Sequence, residues 1–151
     1  MRLRGAYLSM HRSFNALFAQ FGVTADQYVM LRLLSEEDGI TQQELGRRMF
    51  SDANTVTAML ALLEKRKLLR RKNHARDGRA RLVFLTPKGR RLFTKLQEGS
   101  LALHERLEGC VQAREHEPMM VALARIAETM APKKAGAARP YSPRFSRLIS
   151  L

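Results

Sequence analysis

At 151 residues, 45% hydrophobic and 27% charged, the chain has the length and balance of one globular domain; no run nears the roughly 20 apolar residues of a membrane span, and the N-terminus lacks the apolar core of a signal peptide. A single cysteine, Cys110, excludes an internal disulfide, and a cytoplasmic protein with no membrane partner is expected. The net charge of +13 is concentrated: residues 65 to 91 hold 12 Lys or Arg and one acid, while residues 21 to 64 and 92 to 130 are net −4 and −2, a segregation that suits phosphate binding better than a surface charged only for solubility, which mixes both signs.

In chain order, Leu3, Tyr7, Met10, Phe14, Leu17 and Phe21 recur at spacings of 4, 3, 4, 3 and 4, the seam of an amphipathic helix. Phe18 widens this seam and Gly22 ends it. Thr24-Ala25-Asp26-Gln27 is a capping-box pattern that opens a second helix with Tyr28, Leu31 and Leu34 inward, and Gly39 breaks it. Thr41-Gln42-Gln43-Glu44 repeats the pattern before a short helix carrying Leu45 and Met49. Ser51 is the expected N-cap of a third helix, with Asp52 in its first turn and Val56, Leu60 and Leu63 inward. The opposite face, Asn54, Thr55, Thr57 and Ala58, is small or hydrogen-bonding and suits close approach to base edges. A short helix, a tight turn and a helix with a polar N-terminal face make a helix-turn-helix.

Leu68-Leu69 leads into one strand and Leu82 to Leu85 form a second, so the basic stretch between them is a hairpin tipped by Arg76, Asp77, Gly78 and Arg79. Arg70, Arg71 and Lys72 lie at its base, where they suit phosphate neutralisation. Thr86-Pro87 caps a helix of about six turns whose apolar positions are Leu92, Leu96, Leu103, Leu107 and Cys110. After a loop at Gly109 to Arg114, Met120, Leu123, Ala127 and Met130 mark a last helix with Pro118 in its first turn. The first and last two helices carry more apolar surface than so small a module covers, and a second copy of the chain is the expected cover. Residues 131 to 151 hold five cations and no acid and read as a disordered basic tail, with a phosphate-touching arm or a short docking helix at Phe145 to Leu151 as alternatives. His104, Glu108 and Cys110 are close in sequence but lack a second ligand cluster. On that apolar stripe the thiol is expected to be buried and inert, so no metal and no cofactor are expected. No nucleophile-base arrangement or phosphate-cradling loop points to an enzyme.

This order of elements resembles, over residues 3 to 130, the MarR family of bacterial transcriptional regulators, which are winged helix-turn-helix proteins that bind DNA as dimers. "RDGRARLVFLTPKGRRL" is similar to the family's wing signature, and "SDANTVTAMLALLEKRKLLRR" to its recognition helix and the approach to the wing. The resemblance implies a mainly α fold with a small β-wing, residues 24–91 forming the winged helix-turn-helix and residues 1–23 and 92–130 the dimerisation helices. It puts Thr57 at a base-contacting position, Arg79 at the wing tip and Asp77 as the acid that braces the tip. Ala58 and Leu62 stand where the family often has Arg, so the base contacts differ, and Lys67 stands where it usually has Gly at a positive φ. The expected function is a sequence-specific regulator, a homodimer on a pseudo-palindromic operator in double-stranded DNA, released as a repressor by a small aromatic or phenolic ligand. Thr41, Gln42, Ser51, Asn54, Thr55, Thr57, Arg71, Arg76 and Arg79 are the candidate DNA contacts, and His11, Arg12 and Tyr28 the candidate ligand-lining residues. The rival is a sequence-indifferent nucleoid or RNA-associated winged-helix module, which would not prefer one duplex by roughly 10³ or more.

Overall fold

Capping chemistry sets where the elements begin. In the computed structural model, which describes residues 1–73 and 80–130, α1 (Arg2–Ala19) leads to α2 (Ala25–Glu36). Thr24 opens α2 with a complete capping box: its hydroxyl accepts from Gln27 N at 3.1 Å and Gln27 Oε1 accepts from Thr24 N at 3.2 Å. Thr41 opens α3 (Gln42–Arg48) by accepting from Glu44 N at 3.1 Å. The expected second box is only half formed, because the Glu44 carboxylate turns to Arg47 and Arg48. For α4 (Ala53–Lys65) the N-cap is Asp52, not Ser51. The Asp52 carboxylate accepts from Asn54 N and Thr55 N, both at 2.9 Å, whereas the Ser51 amide is used to close the end of α3 on Gly46 O.

The basic hairpin is present as β2 (Leu69–Asn73) and β3 (Arg81–Leu85), antiparallel, with Leu69 opposite Leu85 and Asn73 opposite Arg81. A strand of two residues, β1 (Ile40–Thr41), pairs with the free edge of β3, giving the order β1-β3-β2. It escaped sequence reasoning because two residues carry no alternation to detect. The hairpin tip, with Arg76, Asp77, Gly78 and Arg79, and the tail 131–151 lie outside the described residues.

Thr86 caps α5 (Pro87–Glu108) by accepting from Gly89 N at 3.0 Å, with Pro87 in the first turn as expected. Gly89 is required by close approach: a Cβ there would lie 2.0 Å from Leu68 O, so the start of α5 is pressed against the root of the wing. Pro118 is interior to α6 (Ala113–Met130), in the second turn rather than the first, where it removes one backbone hydrogen bond. Cys110 follows the C-cap Gly109 and is exposed, which corrects the expected buried thiol.

The core is built by α1 to α5 and the sheet around Phe18, Leu31, Leu34, Leu45, Leu60, Val83 and Leu96, with Leu17 and Leu103 packed against its edge. α6 contributes no buried residue. Leu3, Tyr7 and Met10 on α1, Leu101 and Leu107 on α5 and Leu123, Ile126 and Met130 on α6 are exposed. Among the described residues no helix is long and apolar enough to cross a membrane.

Candidate nucleic-acid interface

The N-terminal turns of α3 and α4 are joined by their polar side chains. Gln42 Nε2 donates to Thr57 Oγ1 at 2.7 Å, and that hydroxyl donates to Ala53 O at 2.7 Å. The structure therefore brings Gln42 and Thr57 together and fixes the Thr57 rotamer, leaving its methyl group and one lone pair uncommitted by these bonds. Thr55 Oγ1 donates to Asp52 Oδ2 at 2.6 Å, a bond that holds the Asp52 carboxyl below the usual carboxylate range. Thr55 and Asn54 are exposed on the same turn. Thr41 and Ser51, also candidate contacts, spend their cap oxygen and amide respectively inside the fold.

Strand alternation divides the cations of the wing. Arg70 and Lys72 are exposed on one face, their charged groups 5.5 and 5.8 Å from the Phe84 ring centroid. Arg71 points to the other face, where its Nε donates to Glu64 Oε2 at 3.0 Å, its Nη2 contacts the same oxygen, and its amide donates to Oε1 at 3.3 Å. These bonds hold the Glu64 carboxyl below its ordinary range. The candidate phosphate contact Arg71 is thus a brace between α4 and the wing, and Glu64, on the last turn of α4, is the partner that sequence reasoning missed. In α3, Arg47 and Arg48 are likewise paired with Glu44, at 2.6 and 2.7 Å, and Arg48 also reaches Glu37 at 2.8 Å. The Arg47 hydrogen bonds, partly opposed by burial, lower the Glu44 carboxyl to about 2.

The far end of α4 is tied to the rest of the chain. At the end of α4, Arg66 Nη2 donates to Phe21 O at 3.0 Å and Nη1 to Gly22 O, fastening α4 to the turn after α1. Asp38 accepts from Leu85 N at 2.8 Å and pairs with Arg90, linking the turn after α2 to β3 and α5. Thr86 Oγ1 donates to Lys67 O at 2.8 Å.

A groove of about 800 Å³ is lined from α1, α2, α5 and α6 by Tyr7, His11, Phe14, Tyr28, Arg32 and His104 among others. Of the candidate lining residues His11 and Tyr28 face it. Arg12 does not; it is exposed one residue off the lining stripe. Arg32, four residues beyond Tyr28 and so on the same helix face, is the groove's arginine, and that i,i+4 spacing was the available signal. Asn15 Nδ2 donates to His11 Nδ1 at 3.0 Å, which leaves the proton of a neutral ring on Nε2, 3.5 Å from Asp26 Oδ2. His104 lies against Phe14 with the rings tilted by 48° and centroids 4.9 Å apart. Its burial, and secondarily Arg32, push its pKa down. Burial pushes the Tyr28 phenol up. Among the described residues no group of three His, Cys, Asp or Glu is arranged to hold a metal.

A helix-turn-helix with a polar N-terminal face, followed by a basic two-stranded wing, makes a winged helix-turn-helix. The chain belongs to the MarR family: the profile of that family matches residues 21–80, and the transcriptional regulator HosA of Escherichia coli O127:H6 is 31% identical over 107 residues, 71% of this chain and 79% of HosA. The chain spans about half the length of two further curated regulators that it matches, 44% and 54% of them. Among solved structures, the transcriptional repressor CouR bound to a 23-mer DNA duplex superposes with a TM-score of 0.74 at 28% identity, over 83% of this chain and 89% of CouR. The PcaV regulator from Streptomyces coelicolor in complex with its natural ligand superposes with a TM-score of 0.69 at 25% identity, over 84% and 87%. These relatives are regulators of transcription rather than enzymes.

Proposed function

We propose that the chain is a homodimeric repressor, acting in the cytoplasm, that holds a pseudo-palindromic operator through α4 and the wing of each copy and releases it when a small aromatic acid enters the groove. Asn54, Thr55, Thr57 and Gln42 face the bases, while Arg70, Lys72 and the wing residues Arg76 and Arg79 neutralise phosphate or enter the minor groove, with Asp77 bracing the tip. Residues 1–23 and 92–130 form the dimer and residues 24–91 the DNA-binding module.

The observation that carries this reading is the path from groove to bases. Phe14 and Phe18 of α1 line the groove, and the turn that ends α1 is the one Arg66 fastens to the end of α4. A flat anionic ligand suits a cleft with aromatic walls and a guanidinium, Arg32, as its polar anchor. Selection from a random duplex library, followed by sedimentation of the complex, tests the operator: one enriched pseudo-palindrome bound by two chains is expected, and equal binding of random duplex would assign the protein to sequence-indifferent nucleic-acid binding. Competition with benzoate and 4-hydroxybenzoate then tests release, which Arg32→Met should abolish without loss of operator affinity.

A further inference from the structure

Three helices of the chain end on one hydrogen-bond pattern, in which a residue just past the last turn takes a left-handed conformation and the next amide donates five residues back. After α1 the left-handed residue is Gly22, at a φ of +65°; after α3 it is Phe50, at +50°; after α4 it is Lys67, at +60°. For α3 the pattern is complete, with Phe50 N donating to Arg47 O at 3.1 Å and Ser51 N to Gly46 O at 3.0 Å. Glycine takes this conformation without cost, whereas a residue as bulky as phenylalanine there is a strained exception.

Packing does not repay that strain. Phe50 is 60% exposed, while Phe14 and Phe18 are 9% and 0% exposed in the core. A strained backbone combined with an exposed aromatic directs attention outside the free fold. The position supplies the partner: Phe50 is the turn of the helix-turn-helix, two residues before the N-cap Asp52, and therefore within about 8 Å of the start of the reading helix along the chain. The two arginines preceding it are occupied by Glu44, so the turn offers apolar surface beside a polar reading face. In the major groove the one apolar group on a base edge is the C5 methyl of thymine.

We propose that Phe50 is a specificity-determining residue whose ring covers thymine methyl groups beside the bases read by α4. The proposal rests on the operator reading above and extends that same interface by one residue. The strain is then retained because a glycine at this turn would leave the methyl groups in water.

Phe50→Gly separates the two roles, since glycine suits the backbone and removes only the ring. The duplex selected by the wild-type chain is compared with its copy in which uracil replaces thymine, a change that deletes only the methyl groups. On the thymine duplex the variant should bind about fourfold more weakly for each methyl covered, the factor expected from exposing one methyl-sized group. On the uracil duplex the variant and the wild type should bind alike, and the melting temperature of the variant should equal or exceed that of the wild type. An equal loss on both duplexes, no loss on either, or a fall in melting temperature would overturn the role of Phe50 while leaving the operator reading intact. A wild-type chain that enriches no sequence at all would overturn both.

Discussion

Thr57 is held within the fold, its hydroxyl donating to Ala53 O and accepting from Gln42, so it presents a fixed methyl and a fixed lone pair instead of a rotor. Thr57→Ala is expected to cost about 1 to 3 kcal/mol on a selected operator and little on random duplex, measured by parallel titration; equal losses would make it a structural residue. The wing yields a contrast between neighbours. Lys72→Ala should lower the slope of log affinity against log salt by about one unit with sequence preference unchanged. Arg71→Ala should instead act through the fold, costing up to about 1 kcal/mol of stability, because its partner Glu64 is partly exposed to solvent. From the sequence both residues are equally basic; only strand parity separates them, and parity is known once the register Arg71 opposite Val83 is fixed. The same limit applies at Asp52, where a run of Ser51 and Asp52 offers two good caps and the competing use of the Ser51 amide decides between them.

At the scale of elements, helices declared themselves through long apolar periods and through Thr24, Thr41 and Thr86, each of which caps the helix it was expected to cap. Partner surfaces were less legible. Leu17 and Leu103 follow the same spacing as Tyr7 and Leu107, yet the first pair packs on the chain's own core and the second is exposed; periodicity gives a face and not its occupant. The short helix α3 illustrates what tertiary pairing adds, since Glu44 binds both of its arginines and Arg48 ties it to Glu37 after α2. Because the folded-state pKa of Glu44 is lowered from 4.5 to about 2, its contribution to stability is complete above pH 4.5 and is lost as pH falls toward 2. Urea unfolding should therefore show wild type more stable than Glu44→Gln at pH 6, with the gap shrinking steadily below pH 4.5. A gap independent of pH would mean that the carboxylate charge contributes nothing.

For the molecule as a whole, the exposed apolar residues of α1, α5 and α6 are the surface on which a second copy is expected. Ile126 is 50% exposed and lies on a helix with no buried residue, so Ile126→Asp should keep the helical circular dichroism of each chain while sedimentation shows a shift to monomer and operator affinity falls. A persistent dimer would place the second copy on another face. The helix α5 is an unbroken rod of 22 residues, about 33 Å long, clamped at its start to the wing root through Gly89 and Thr86 and to the turn after α2 through Arg90, and lying along the groove at its other end through His104 and Glu108. Such a rod is a lever arm: a tilt of about 5° at one end would move the other by about 3 Å over that length. Half-sites recur on the double helix about every 34 Å, so in the proposed dimer a rotation small enough to leave each side chain in its packed neighbourhood would carry the two wings out of phase with successive turns of an operator.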